Sequence, residues 1–202
     1  RSGSLIGIWS DAALRAGPWF RPWSQGLHFS CFQLLLGTNV AAWHAVSAGL
    51  TVAILALYFA LVARLAGQVV AGIATACPAS LVAWGVLVSW ISGVQDLWML
   101  VFSLLCLLAG ANEKRGWSVC ALALALLSKE TAAVLPAVRT MWELVLSRRS
   151  LRTTWSATWP LWALLPVWAI AHPTLGGRGI GEEFAASEAK RSLIQVNSVM
   201  HA

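Results

Sequence analysis

Four long stretches of the chain contain no Asp, Glu, Lys or Arg: Pro22–Ala63, Leu65–Gln95, Leu97–Asn112 and Thr153–Gly177. A membrane-crossing helix needs about 20 largely apolar residues, so this pattern predicts a series of spans. Asn39–Ala63 is the first and ends at Arg64. Val69–Trp90 is the second, with Pro78 inside it, which a membrane helix tolerates because neighbours re-satisfy the freed backbone groups. Leu97–Ala111 is the third, closed by Asn112–Gly116 (NEKRG), and Leu151–His172 is the last, kinked at Pro160 and Pro166. Ser24–Gly37 is apolar but short, and reads as an interfacial or re-entrant helix. Ser89–Asp96 (SWISGVQD) is a polar interruption that predicts a turn around Gly93.

Between the third and last spans lies Gly116–Leu146, where Lys129 and Glu130 interrupt an apolar run (ALALALLSKETAAVLP). One long helix there puts Lys114–Arg115 and Arg148–Arg149–Arg152 on opposite sides. Two short helices meeting at Ser128–Glu130 put them on one side, as the positive-inside rule prefers. At 1.5 Å per residue, Gly116–Ser128 is then only about 20 Å long, against a hydrocarbon core of about 30 Å. Lys129 and Glu130 fall short of the far surface, in a recess, as broken helices do where they line a polar cavity. A single charge in hydrocarbon costs about 2.5–3.5 kcal/mol or more, so a paired or cavity-facing placement is favoured over lipid. The plainer reading is a neighbouring ion pair near the headgroups. The predicted fold class is an all-α, polytopic transmembrane helical bundle of about 6 membrane helices with interfacial helices. Its parts are an extracytoplasmic or interfacial loop with a re-entrant helix (1–38), the transmembrane bundle (39–172) and an extracytoplasmic loop leading to a next segment (173–202).

Composition strengthens this reading. Hydrophobic residues make up 58% and charged residues 11%, where a soluble domain carries roughly 25% charged; mean hydropathy is +0.71. Many of the tryptophans flank the apolar runs (Trp43, Trp90, Trp117, Trp142, Trp155), where the membrane–water interface favours them. The net charge of +6 does not imply nucleic acid, because no basic stripe interleaved with aromatics exists to follow a phosphate backbone. Cys31, Cys77, Cys106 and Cys120 lack CxxC spacing and predict buried thiols rather than a metal site or disulfides. None of HExxH, HxH or DxD occurs, so no metal and no resident cofactor is predicted.

Few residues remain to carry chemistry. Arg21 and Lys129 form the pair best suited to a phosphate or pyrophosphate headgroup, Arg as a bidentate fork and Lys as a point charge; Arg21 equally suits snorkelling to the headgroups. Asp96, just after Gly93, suits either a helix start or a cation partner. His44, one turn into the first span, suits hydrogen-bonded packing. Gly176–Gly181 (GGRGIG) lacks GxxxxGK[ST] and a preceding strand, and reads as a loop rather than a phosphate site.

The order of these pieces resembles the membrane half of GT-C glycosyltransferases, nearest to dolichyl-phosphate-mannose–protein mannosyltransferases and bacterial polyprenyl-phosphate-sugar transferases. Phe20–Ser24 (FRPWS) resembles the family's aromatic-Arg-Pro element. Trp43–Ser47 (WHAVS) resembles its His-x-x-Asn helix start, with Ser47 in place of Asn. Val88–Asp96 (VSWISGVQD) resembles A-W-I-S-G-R-x-D, with Val94–Gln95 in place of Arg and a small residue. Leu127–Thr131 (LSKET) resembles L-S-K-E-T. The likeness spans roughly Phe20–Met141. It implies inverting transfer of a sugar from a polyprenyl- or dolichyl-phosphate donor to a protein or glycan acceptor at the extracytoplasmic face, in a multi-pass protein of a bacterial inner membrane. It places Lys129 and Arg21 at the donor phosphate, and Asp96, Glu130 and His44 in orienting roles. The family's general base is an acidic residue before the Arg-Pro element; Asp11 is the only carboxylate there and stands in no acidic motif. The expectation is therefore that the chain is part of a longer protein, with the catalytic acid upstream of Arg1. Two other readings stay open: a secondary transporter, which an internal repeat would mark, and a catalytically inactive membrane scaffold, which the departures at Ser47 and Val94 suit.

Overall fold

A computed structural model describes residues 21–172 apart from 82, 91 and 92. Among the described residues the regular structure is helical throughout, with no strand. Asp11, the GGRGIG stretch and the segment after His172 lie outside the described residues.

A π-helical turn, Pro22–Leu27, leads into α1 (His28–Leu36), the expected short helix. Gly37 ends it at φ 55°, a conformation that carries no penalty without a Cβ. Asn39 then caps α2 (Val40–Ala66), its Oδ1 accepting from the Ala42 amide at 3.2 Å. Gly67, at φ 86°, turns the chain into α3 (Gln68–Ala79). The expected single helix Val69–Trp90 is in fact two, α3 and α4 (Ala83–Ser89). Pro78 explains the break: it supplies no amide to the ladder, and its carbonyl accepts from Trp84 Nε1 at 2.5 Å and from the Leu81 amide at 3.1 Å.

α5 (Val94–Ala111) starts three residues before the predicted boundary. α6 (Arg115–Ser128) stops where the charged pair begins: Lys129 is extended (φ −160°, ψ 137°), and a 3-10 turn, Glu130–Val134, follows. Pro136, in the first turn of α7 (Leu135–Met141), prevents one continuous helix, because its ring would clash with the carbonyl four residues earlier. A π-helical turn, Trp142–Leu146, ends that arm. The two-helix arrangement of Gly116–Leu146 is thus the observed one. α8 (Leu151–Ala171) is capped by Ser150 and runs unbroken through Pro160 and Pro166, so the expected kinks do not divide it.

α5 is central, packed between α2 and α6; α3 lies on α2, and α8 on α6 and α7. One core joins Phe102 and Cys106 of α5, Leu122 and Leu126 of α6, Leu135 of α7 and Leu161 of α8. A second joins Ile54 of α2 to Leu97 and Val101 of α5. Two helices, α2 and α5, are long and apolar enough to cross a membrane, with mean hydropathies of 2.3 and 1.8 over their best windows. The α2 window is only 17% buried. Its apolar surface faces outward, unlike a soluble core helix, and points to association with a membrane.

Candidate functional site

Lys129 and Glu130, adjacent at the break, recruit different partners. Arg21 donates from Nε to Glu130 Oε2 at 3.0 Å and from Nη2 to Oε1 at 2.5 Å, a bidentate fork across 109 positions of sequence. Its Nη1 donates to Gln95 Oε1. One residue on, Asp96 accepts from Lys129 Nζ at 2.5 Å. Three separate stretches of chain, the Arg-Pro segment, the start of α5 and the break after α6, therefore meet in one polar constellation.

Each group is positioned by an element end. Asp96 lies in the first turn of α5, where the helix dipole favours a carboxylate; Gly93, not Asp96, is the N-cap, and no side chain caps that end. Glu130 opens the 3-10 turn. The π-turn holding Arg21 is tied to the break by Ser24, whose hydroxyl donates to the Ser128 carbonyl at 2.7 Å. That carbonyl belongs to the last turn of α6, which has no helical partner for it. Trp23, two residues from Arg21, and Trp98, two from Asp96, meet edge-on at 5.6 Å, and Trp23 meets Phe102 edge-on at 5.3 Å.

Two cations and two carboxylates make the constellation neutral. Both carboxylate oxygens of Glu130 accept from Arg21, and the Lys129 charge stands next to it in sequence. His172, at the end of α8, feels the same groups: burial lowers its pKa, Glu130 opposes that shift and Arg21 adds to it. Lys129 keeps a 24% exposed side chain. It gives one of its three ammonium donors to Asp96, leaving the others for a ligand.

Of the residues singled out from sequence, Arg21, Asp96, Lys129 and Glu130 are brought together. His44 is not in that cluster. Its Nδ1–H donates to the Val88 carbonyl at 2.9 Å and ties α2 to α4, the packing role. Ser24, Gln95 and Ser128, which lie inside the quoted motifs without having been assigned a role, and His172, which lies in none, also belong to the site. His28 was also overlooked: it accepts at Nδ1 from Trp98 Nε1 at 3.1 Å, and burial pushes it down to about 4. No group of three or more His, Cys, Asp or Glu placed to hold a metal occurs among the described residues.

A second polar cluster was not anticipated. Arg139 and Glu143, one turn apart, form an ion pair in which both side chains are buried. Arg149 bridges Glu143 Oε2 at 3.2 Å and Glu113 Oε1 at 2.8 Å. Arg64 caps the end of α5 nearby, donating to the Ala111 carbonyl at 3.0 Å. Asp96 and Glu113 lie at the two ends of α5, about 26 Å apart at the helical rise. The two clusters thus sit at opposite ends of the bundle, separated by close to one hydrocarbon thickness.

No protein-family model, curated protein or solved structure matches the chain.

Proposed function

We propose that this chain contributes the donor site of an integral-membrane glycosyltransferase that uses a polyprenyl- or dolichyl-phosphate sugar. The observation that carries the reading is convergence. Three of the four stretches that resemble the GT-C pattern, far apart in sequence, supply Arg21, Asp96 and Lys129–Glu130 to one constellation. In this reading the backbone passes between the ends of the bundle six times: α2, α3 with α4, α5, α6, Glu130–Leu146 and α8. Those passes are the six membrane crossings, with the Arg64, Arg115 and Arg149 end cytoplasmic and the Lys129 end extracytoplasmic.

The chemistry follows from the donor. The acceptor hydroxyl oxygen attacks the anomeric carbon, the bond from that carbon to the phosphate oxygen breaks, and the lipid phosphate leaves with the electron pair. The hydroxyl proton passes to a general base. Lys129, with donors to spare and held by Asp96, stabilises the charge on the departing phosphate. Arg21, locked to Glu130 and Gln95, fixes the geometry of the break. Glu130 is a poor base, because both its oxygens already accept from Arg21. The base is accordingly assigned to a carboxylate outside this constellation.

The test is sugar transfer by the full-length protein in membranes, comparing wild type with Lys129→Met. Loss of one charge-assisted contact to a leaving phosphate predicts a fall of about 100-fold or more in turnover, with near-normal expression. Unchanged turnover contradicts the assignment.

A further inference from the structure

The opposite end of the bundle carries a cleft that the proposed transfer does not use. It has a volume of about 190 Å3 and lies among Arg115 and Ser118 of α6, Arg139 of α7, Glu113, Glu143 and Arg149. A single water needs only about 10–15 Å3 measured this way, so the cleft holds a ligand of several heavy atoms.

Three guanidiniums face two carboxylates there, leaving a cation in excess. Arg139 is 6% exposed and gives Nη2 to Glu143, but its Nη1 has no hydrogen-bond partner. A buried guanidinium donor left without an acceptor is destabilising. Glu143 Oε2 likewise accepts no hydrogen bond and is held only by the Arg149 charge at 3.2 Å. The first turn of α6, where a helix favours anions, forms one wall. The place of Arg139 is fixed by Gly110: a Cβ there would come 2.7 Å from Arg139 Nε and 3.0 Å from Cζ.

We propose that this cleft binds a phosphate group, monoester or diester, through Arg139, Arg115 and Arg149. A tetrahedral oxyanion satisfies the Arg139 donor and absorbs the excess charge, which a cation does not. Guanidiniums match phosphate through paired N–H groups. The group arrives on a phospholipid headgroup or as a free phosphate.

The experiment is calorimetric titration of the full chain in a neutral detergent, with dioctanoyl phosphatidic acid and, separately, inorganic phosphate. The expected result is saturable 1:1 binding of at least one probe, weakened about tenfold or more in Arg115→Gln and in Arg139→Lys and unchanged in Arg152→Gln, an exposed cation outside the cleft. Binding of phosphatidic acid that phosphate does not displace identifies a lipid headgroup site. Displacement by phosphate identifies a general phosphate site. Arg115 is exposed and its variant leaves the buried ion pair intact, so the test stands even if Arg139→Lys fails to fold. Saturation by neither probe, or affinity unchanged in Arg115→Gln, reduces the cluster to a structural ion-pair network and overturns the proposal. Loss of binding in Lys129→Met with none in Arg115→Gln places the phosphate at the other end and overturns it equally.

Discussion

At the scale of single residues, the molecule is governed by where charge is compensated. Gly110 shows how tightly. Gly110→Ala drives a methyl into a buried guanidinium that is itself paired, so Arg139 must shift or strain. Overpacking of this kind costs about 1–3 kcal/mol, and thermal unfolding in detergent should show a lower midpoint for Gly110→Ala, whereas Gly49→Ala, with open space around its Cβ, should not fall. His28 gives a pH signature. Its pKa of about 4 in the fold lies below the usual 6.5, so between those values the unfolded chain binds more protons than the folded one. Stability therefore declines as pH drops from 6.5 toward 4 and levels off, for this group, below that. Unfolding midpoints measured across pH 6.5 to 4.5 should slope less in His28→Phe than in wild type; equal slopes contradict the assignment to His28.

At the scale of elements, the decisive feature is the break between α6 and α7. It was legible in the sequence because Lys129–Glu130 is polar and the basic residues at both ends demanded a return; Pro136, whose part the structure shows, bars a continuous helix. Ser24 holds the break to the π-turn. Ser24→Ala leaves the buried Ser128 carbonyl without its donor, at a cost of about 1–3 kcal/mol, and should raise hydrogen exchange selectively in Lys129–Val134. Global loss of protection with no local effect there contradicts the tether. Two elements escaped the sequence. The division of α3 from α4 did, because a proline inside an apolar run is compatible with either a tolerated or a broken helix. The Arg139–Glu143 pair did too: the i, i+4 spacing of opposite charges was present, but inside a run read mainly for hydropathy.

At the scale of the whole molecule, α5 is a ruler with a polar cluster at each end. Lys114–Arg115 and Arg148–Arg149–Arg152, predicted to share one side, lie at one end, where Arg149 pairs with Glu113 and Arg64 reaches the Ala111 carbonyl. At the other end Arg21, Asp96 and Lys129–Glu130 meet. The sequence conveyed this grouping because charge in a membrane protein is confined to the ends of helices, whereas the pairing within each cluster depends on side-chain direction, which residue order does not encode. His44 illustrates the limit: it lies on the expected helix, yet its ring turns to Val88. The central claim is that the Lys129 end receives a lipid-linked sugar phosphate. Equilibrium binding of a polyprenyl-phosphate hexose to the full chain in nanodiscs tests it, with Lys129→Met and Arg115→Gln alongside wild type. The account predicts one bound lipid per chain, affinity down about tenfold or more in Lys129→Met and retained in Arg115→Gln. No saturable binding, or equal affinity in wild type and Lys129→Met, would contradict it.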